Sequence, residues 1–273
     1  MTTDSADTPT LRGAGDLDLW LAALHASSRR LANAVNGLSE KELSHPSFTD
    51  DWNIAQVLSH LGSAAEISTS LLERGLAGDT TWPQRETVMP VWERWDALSG
   101  PAQREAWMAA DARHRQLLDS LDVQQRASVR VPYFAGLLSV PVYAWYRLSE
   151  QSVHAWDIEV ALDPAAVIPA AEVRLLWERL DLVATRFRDA ETLRRLGSRQ
   201  LTVVLTEPPR TMLLDLDAEL HIYPCEPAEP DGTVSGSAEA VLRLVYGRNR
   251  PEDGVTVTGS VTLQDLRSLF PGF

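Results

Sequence analysis

Four long segments in the first 162 residues place apolar side chains at steps of three and four residues. They run from about residue 16 to 38, 54 to 74, 102 to 121 and 137 to 162. This spacing is typical of an α-helix that buries one face. A single helix of this kind has nothing to bury its apolar face against, so four of them joined by short loops predict a four-helix bundle.

The pattern changes after the segment LDPAAVIPAA, which ends at Ala171. One more helix is expected from Glu172 to Arg188, and four short apolar segments with the character of strands follow: LTVVL, TMLLDL, ELHIYP and GVTVTG. Two further helical patterns, SAEAVLRLVYG and LQDLRSLF, occur in the same region. Strands mixed with helices are typical of an α+β domain. The predicted fold class is therefore α + (α+β), with a helical bundle over residues 1–165 and a small α+β domain over residues 166–273.

Composition narrows the range of partners. The chain has 38 acidic and 25 basic residues, and its net charge of −13 disfavours binding to a nucleic-acid backbone or to an anionic membrane surface. No segment approaches 18 uncharged apolar residues, and the first fifteen residues are polar. We therefore expect neither a membrane span nor a signal peptide, but a soluble cytoplasmic protein that acts on a small molecule.

The segment RLSEQSVHAWD aligns four ionisable side chains on one face of the fourth predicted helix: Arg147, Glu150, His154 and Asp157. Glu150 and His154 are four residues apart, so their side chains lie about 6 Å from each other on that face. Two ligands at this spacing are a common way for a helix to bind a divalent metal ion. A solvated face of ion pairs is the alternative interpretation of the same stripe.

A third ligand would have to come from a neighbouring helix, and His60 is the candidate. It lies in WNIAQVLSHLG between apolar residues, where a buried imidazole needs partners for its ring nitrogens. His60 is thus either a metal ligand or a hydrogen-bonded core histidine. Two imidazole nitrogens and one carboxylate suit Zn²⁺ and leave a fourth position for water or substrate.

Five other side chains have expected roles beside the candidate ligands or elsewhere in the fold. Asp157 is a candidate to hydrogen-bond a ligating imidazole, with a plain surface carboxylate as the alternative. Arg147 either pairs with Glu150 along the helix or binds an anionic substrate. Trp52 is expected to pack beneath the start of the second helix. Among the remaining histidines, His25 is expected in the core or at the surface, although it could approach the site, and His114 is expected to be solvated.

Three segments carry a resemblance to a known family: WNIAQVLSHL (residues 52–61), RLSEQSVHAWDIEVAL (residues 147–162) and TVSGSAEAVLRLVYGRNRPEDGVTVTGSVTLQDL (residues 233–266). The first two resemble the metal-binding signature of the DinB-like, mycothiol-dependent maleylpyruvate isomerase family. The third is similar to that family's second domain. The resemblance implies a DinB-like four-helix bundle followed by a sterol-carrier-like α+β domain.

The resemblance also implies roles for individual residues. His60, Glu150 and His154 would bind a divalent metal, usually zinc, and Arg248 would reach from the second domain toward the metal site to hold an anionic substrate or the thiol. Arg243 and Arg250 are nearby competitors for that role, and a surface arginine is the alternative. Because Cys225 is the only cysteine and has no activating base beside it, the reactive thiol is expected to be a small molecule, and mycothiol is the family's choice.

The expected activity is that of an enzyme that activates mycothiol as a metal-bound thiolate. The thiolate would serve either for cis–trans isomerisation of a maleylpyruvate-like substrate or for S-transfer to an electrophile. A non-catalytic metal- or ligand-binding protein and a metal-assisted hydrolase, with Asp157 as the candidate base, are the alternatives. We expect a monomer or a homodimer.

Overall fold

The computed structural model describes residues 14–49, 51–225 and 229–272. The chain divides into two units, the first ending at Ala166 and the second beginning at Val167. The first unit contains helices α1 (Ala14–Val35), α2 (Glu40–Leu43), α3 (Ile54–Leu76), α4 (Arg85–Asp96), α5 (Gly100–Asp119), α6 (Val123–Ser128) and α7 (Val140–Leu162), and strands β1 (Arg130–Tyr133) and β2 (Gly136–Ser139).

The four long helices of the first unit form the predicted bundle. Helix α3 packs chiefly against α5, and α1 packs chiefly against α7, while contacts between α1 and α5 and between α3 and α7 close the ring. The bundle core is apolar, and its most deeply buried members include Leu31, Val57, Leu58, Leu61 and Ile158. The helical periodicity of the sequence therefore predicted these four helices correctly.

Helix α7 begins three residues later than the sequence pattern indicated. Residues 136–139 pair with β1 in an antiparallel hairpin, with Val131 opposite Leu138, before the helix begins. Ser139 has extended backbone as the residue before the helix, and Pro141 occupies the first turn, where a missing N–H costs nothing. Apolar residues alone do not distinguish the last strand residues from the first helical turn.

Helices α3 and α5 approach each other closely at Gly62. A Cβ atom at this position would collide with the ring of Trp95 and would lie 3.1 Å from the Cα atom of Trp107. Gly62 is two residues after His60, so the close approach of α5 fixes the segment of α3 that carries this histidine. A glycine inside a helix normally costs stability. Here the close packing of two tryptophans explains why the position has no larger side chain.

The second unit is built around a five-stranded sheet. Its strands are β3 (Gln200–Thr206), β4 (Pro209–Asp215), β5 (His221–Tyr223), β6 (Gly232–Gly236) and β7 (Thr256–Gly259), in the order β5-β4-β3-β6-β7. The central pair β3 and β6 is parallel, and the other pairs are antiparallel. The helices are α8 (Ala170–Leu176), α9 (Leu180–Phe187), α10 (Ala190–Leu196), α11 (Ala238–Val245) and α12 (Leu263–Leu269).

The second unit confirms the sheet-containing C-terminal part and corrects two details of the prediction. The helix expected from Glu172 to Arg188 is broken by a 3₁₀ turn over Trp177–Arg179, between α8 and α9. Strand β6 was not predicted, because its sequence GTVSG offers only one large apolar side chain, Val234. The sterol-carrier-like character of this unit stays a prediction. Among the described residues, no helix is both long enough and apolar enough to span a membrane.

Candidate metal centre

Two helices of the bundle bring the candidate ligands together. Helix α3 begins after Asn53, whose side chain accepts a hydrogen bond from the Gln56 N–H, and Gln56 bonds back to the Asn53 N–H. This capping box fixes the start of α3 and hence the direction in which His60 points. Glu150 and His154 lie on successive turns of α7, which packs against α3.

The side chains of His60, Glu150 and His154 converge. Each offers one potential ligand atom, and these atoms all lie within 4.8 Å of one another. His60 Nε2 is 2.5 Å from Glu150 Oε1, and His154 Nε2 is 3.6 Å from the same oxygen. The two imidazole rings meet edge to face, with their centroids 4.7 Å apart. Within the described part of the chain, this is the one group of three such side chains close enough to hold a metal ion.

Asp157 fixes the orientation of His154. Its carboxylate lies 2.9 Å from His154 Nδ1, and its side chain is fully buried. A buried carboxylate at Nδ1 favours the tautomer in which Nδ1 carries the proton, so Nε2 presents a lone pair toward His60 and Glu150. Burial lowers the pKa of His154, and the hydrogen bond that its Nδ1–H donates to Asp157 offsets this only in part. His154 is therefore neutral near pH 7, as a metal ligand must be.

Glu150 stays ionised in this cluster. Burial alone would raise the pKa of its carboxyl group, but the hydrogen bond from His60 and the electrostatic interactions with His60, His154 and Arg147 hold the pKa far below its usual range. In the metal-free protein, His60 Nε2–H donates to this carboxylate. Metal binding would therefore displace a proton from between His60 and Glu150.

Trp52 forms one wall of the cluster. Its ring centroid lies 5.0 Å from that of His60 and 6.2 Å from that of His154. The loop that carries it is tied to α7, because the Phe48 N–H donates to the Asp157 carbonyl at 2.9 Å. The sequence predicted that Trp52 packs beneath the start of α3, but not that it contacts both imidazoles. Its position directly before the capping box was the available signal.

Arg147, one turn before Glu150, is buried rather than solvated, with 2% of its surface exposed. Among the described residues, its Nε atom finds no hydrogen-bond partner, and Tyr133 bonds to the guanidinium. Burial lowers the pKa of Arg147, but Tyr133, Tyr143 and Glu150 outweigh it, so the net shift is upward and the group stays charged. This burial excludes the interpretation of the stripe on α7 as a solvated face of ion pairs.

The prediction that His114 is solvated was wrong. Its exposure is 1%, and its Nε2 lies 2.6 Å from the Tyr143 hydroxyl, which donates its own proton to the Ser68 carbonyl. His114 Nε2 must therefore carry a proton and donate it to Tyr143. His25 lies outside the metal cluster, with Nε2 3.0 Å from Asp119 and Nδ1 2.9 Å from Arg115.

The burial of His114 predicts a pH dependence of stability. Burial and the nearby Arg147 and Arg115 hold its pKa well below 6.5. The unfolded chain takes up a proton at this residue below about pH 6.5, and the folded chain does not, so acid favours unfolding by up to about 1.4 kcal/mol per pH unit. His114→Gln keeps an N–H donor for Tyr143 but does not titrate. We expect the unfolding free energy of wild type, measured by urea titration, to fall more steeply between pH 6.5 and 5 than that of the variant; parallel curves would contradict this account.

Arg248 is a buried residue of the second unit, with 4% exposure. Its Nη1 donates to the Tyr246 carbonyl at 2.8 Å. Its competitors are held by acidic side chains: Arg243 contacts both Glu239 and Asp253, and Arg250 contacts Asp253. The role of Arg248 toward a substrate stays a prediction.

The residues of the cluster fit a divalent metal of the zinc type. Two imidazoles and a carboxylate are a common donor set for catalytic zinc, and three protein ligands leave one position open. The side chains of His60 and Glu150 are 30% and 23% exposed, whereas that of His154 is 4% exposed. The cluster is thus closed behind His154 and accessible from the side of the other two ligands.

Known proteins match this chain in sequence. Residues 24–159 match the sequence model of the family described as mycothiol maleylpyruvate isomerase N-terminal domain. A protein of Geobacillus kaustophilus named "Putative metal-dependent hydrolase" is 36% identical over 145 residues, which cover 49% of this chain and 79% of that protein.

Solved structures share the fold over both units. A crystal structure of a mycothiol-dependent maleylpyruvate isomerase matches with a TM-score of 0.65 and 18% identity, covering 89% of this chain and 92% of that one. A mutant of a mycothiol-dependent maleylpyruvate isomerase matches over the same shares with a TM-score of 0.64. At this identity the likeness establishes the fold alone. The family match and the 36% identical relative go further, and on them this chain belongs to the mycothiol maleylpyruvate isomerase family through its N-terminal domain.

Proposed function

We propose that this protein is a divalent-metal-dependent enzyme that activates a small-molecule thiol. The main support for this proposal is that His60 Nε2, Glu150 Oε1 and His154 Nε2 converge, and that Asp157 fixes the orientation of His154. These three side chains would hold the metal, and zinc is the ion that the donor set favours. Family membership supports mycothiol as the thiol and an enol-dioate such as maleylpyruvate, or another electrophile, as the substrate.

The chain's own residues prepare the site for this chemistry. A bound zinc ion would lower the pKa of a coordinating thiol enough to remove its proton at neutral pH. Asp157 keeps His154 in the tautomer that can ligate, and Glu150 remains an anion at every physiological pH. Trp52 covers the two imidazoles on one side and limits the access of water there. The charge of Arg147 beside Glu150 favours anionic ligands at this end of α7.

Arg248 is proposed as the residue that holds an anionic substrate or the thiol. Its guanidinium suits a carboxylate, which it can bind through two parallel hydrogen bonds. Arg248→Lys is expected to raise the KM for the anionic substrate while the zinc content stays unchanged.

Metal-assisted hydrolysis is the second candidate, and the name of the relative from Geobacillus kaustophilus favours it. Hydrolysis calls for a general base beside the metal. Asp157 was the candidate base, but its side chain is fully buried and bound to His154, so it is poorly placed to accept a proton from water at the open side. This argues for the thiol reaction over hydrolysis.

Metal analysis followed by thiol-consumption assays tests the proposal. We expect about one zinc per chain in the wild-type protein, little in His60→Ala, and wild-type content in the control His25→Ala, whose histidine lies outside the cluster. Zinc-loaded wild type should then consume mycothiol with a panel of electrophiles or isomerise maleylpyruvate. A wild-type protein without stoichiometric metal would refute the central claim. Metal binding without thiol turnover would favour the hydrolase or a non-catalytic role.

A further inference from the structure

The turn after α1 contains the dipeptide Asn36–Gly37. Helix α1 ends at Val35, and both residues of the dipeptide are exposed in the turn that leads to α2. Of the four asparagines in the chain, Asn36 alone is followed by glycine. Glycine has no side chain to shield its backbone nitrogen, so this nitrogen can approach the carboxamide carbon of the preceding asparagine. Nothing in the proposed metal chemistry uses this turn.

The Gly37 N–H and the Asn36 carboxamide both lack a hydrogen-bond partner among the residues that the structure describes. The amides on either side are bonded, since the Asn36 N–H donates to the Ala32 carbonyl at 2.9 Å and the Leu38 N–H donates to the Val35 carbonyl at 3.3 Å. Attack of the Gly37 nitrogen on the carboxamide therefore breaks no hydrogen bond of either reacting group.

The space around Gly37 is open. Its φ angle is +84°, and a Cβ atom built at this position would meet no heavy atom within 4 Å outside the adjoining residues. Water reaches the peptide bond between Asn36 and Gly37, and the turn has room for the rotation that brings the nitrogen onto the carboxamide carbon. The surroundings of the dipeptide thus do not oppose the reaction.

Two Asp–Gly pairs, which can cyclise in the same way, are held by the fold. Asp231 Oδ2 accepts the Gln200 N–H at 2.8 Å, and the following Gly232 belongs to strand β6. The Asp253 side chain is 1% exposed and binds the Arg243 guanidinium at 2.7 Å. Each of these carboxyl groups is tied to a distant part of its unit, whereas the described residues provide no such restraint in the turn after α1.

The other asparagines are also restrained. Asn53 caps α3, because its side chain accepts a backbone N–H at 2.8 Å. Asn249 Oδ1 accepts the Arg267 Nε–H at 2.8 Å. Asn33 lies inside α1, where the helix holds the backbone. Asn36 therefore differs from the other three both in the residue that follows it and in its surroundings.

We propose that Asn36 deamidates spontaneously in the folded protein and becomes a mixture of aspartate and isoaspartate. A bond forms between the Gly37 nitrogen and the Asn36 Cγ atom, and the carboxamide nitrogen leaves as ammonia together with the proton of the Gly37 N–H. Water then opens the cyclic imide. Cleavage between the nitrogen and Cγ gives aspartate, and cleavage between the nitrogen and the main-chain carbonyl carbon gives isoaspartate. Water is the only co-reactant, and no group is oxidised or reduced.

Both products place a carboxylate at the C-terminal end of α1. The last carbonyl groups of a helix give this end a partial negative charge, so a new anion there is unfavourable. We expect the equilibrium constant for unfolding to rise about two- to fivefold, the range for one exposed charge at a helix end. Isoaspartate also lengthens the main chain by one carbon shortly before Leu38, which packs against the bundle core.

Incubation of the folded full-length protein at mildly alkaline pH, followed by peptide mass spectrometry, tests this site. We expect the mass of the tryptic peptide over residues 31–41 to rise by the difference between an amide and an acid, and fragmentation to locate the change at Asn36 rather than Asn33. An isoaspartate-specific methyltransferase should label the same peptide. Asn53 and Asn249 should stay unmodified. His60→Ala should deamidate as wild type does, so this test is separate from that of the proposed metal enzyme.

Asn36→Gln is the matched variant, because a side chain longer by one methylene cyclises much more slowly, and it should abolish the labelling. Asn33→Gln should be labelled as wild type is. Wild type unfolded in urea serves as the reference for the unrestrained dipeptide. Labelling of the unfolded chain without labelling of the folded protein, or equal labelling of wild type and Asn36→Gln, would overturn the proposal.

Urea unfolding of Asn36→Asp tests the effect of the product. We expect its unfolding constant to exceed that of Asn36→Gln by about two- to fivefold, because only the aspartate adds a charge at the end of α1. Equal stability of the two variants would contradict the expected effect of the modification on the bundle.

Discussion

Replacement of Glu150 by glutamine is expected to lower the affinity for Zn²⁺ by more than about 100-fold, because loss of a hydrogen-bond partner behind a ligand already costs about 10- to 100-fold. Glutamine preserves the size of the side chain and removes its negative charge. Glu150 is the one anion among the three candidate ligands, and its Oε1 lies 2.5 Å from His60 Nε2 and 3.6 Å from His154 Nε2. The measurement is competition for zinc against a chelator of known affinity.

A graded series makes this prediction sharper. Asp157→Asn should cost about 10- to 100-fold, since it weakens the hold on His154 without removing a ligand. Asp119→Asn, which alters the carboxylate paired with His25 outside the cluster, is the matched control and should bind zinc as wild type does. Equal affinities in wild type and Glu150→Gln would show that the cluster is a hydrogen-bonded group and not a metal site.

The second large effect is expected in the bundle core. Trp107 on α5 is 1% exposed and packs in the core cluster with Trp95, opposite the close approach at Gly62. Trp107→Ala leaves a cavity that the surrounding helices fill only in part, and it should lower the free energy of unfolding by about 3–5 kcal/mol. This is a large share of the roughly 5–15 kcal/mol that stabilises an ordinary domain. Urea unfolding followed by circular dichroism measures it.

Trp82→Ala is the matched control for the core prediction. Trp82 is 52% exposed, so its removal should change the free energy of unfolding by less than about 0.5 kcal/mol. A similar loss in both variants would indicate that burial at Trp107 is not what stabilises the bundle. His60 lies on α3, against which Trp107 packs, but Trp107 is not one of the candidate ligands. Zinc binding by Trp107→Ala is therefore expected to weaken only under conditions in which the bundle itself unfolds.

The long helices and the candidate ligands were accessible from the sequence for a local reason. The apolar spacing of α1, α3, α5 and α7 reflects the period of the helix, which each segment expresses by itself. The alignment of Glu150, His154 and Asp157 on one face follows from the same period, so the contact between Asp157 and His154 could be anticipated. Pairing them with His60 required the further assumption that α3 and α7 are neighbours.

The errors of the secondary-structure prediction have a different cause. At each of these positions, the local structure depends on contacts with distant parts of the chain. Residues 136–139 are equally compatible with helix and strand, and pairing with β1 decides between them. Strand β6 is held between β3 and β7, so its place in the sheet comes from its neighbours and not from its own apolar content. The break between α8 and α9 likewise interrupts a segment whose apolar period is continuous.

Local periodicity thus determined the helices, the change to an α+β pattern after residue 165, and the stripe on α7, because each depends only on residues a few positions apart. The tertiary structure alone decided which side chains are buried together. It placed His114 against Tyr143, Arg147 among tyrosines and Trp52 against two imidazoles. Burial depends on which element covers which face, and that is set by contacts between segments far apart in the chain.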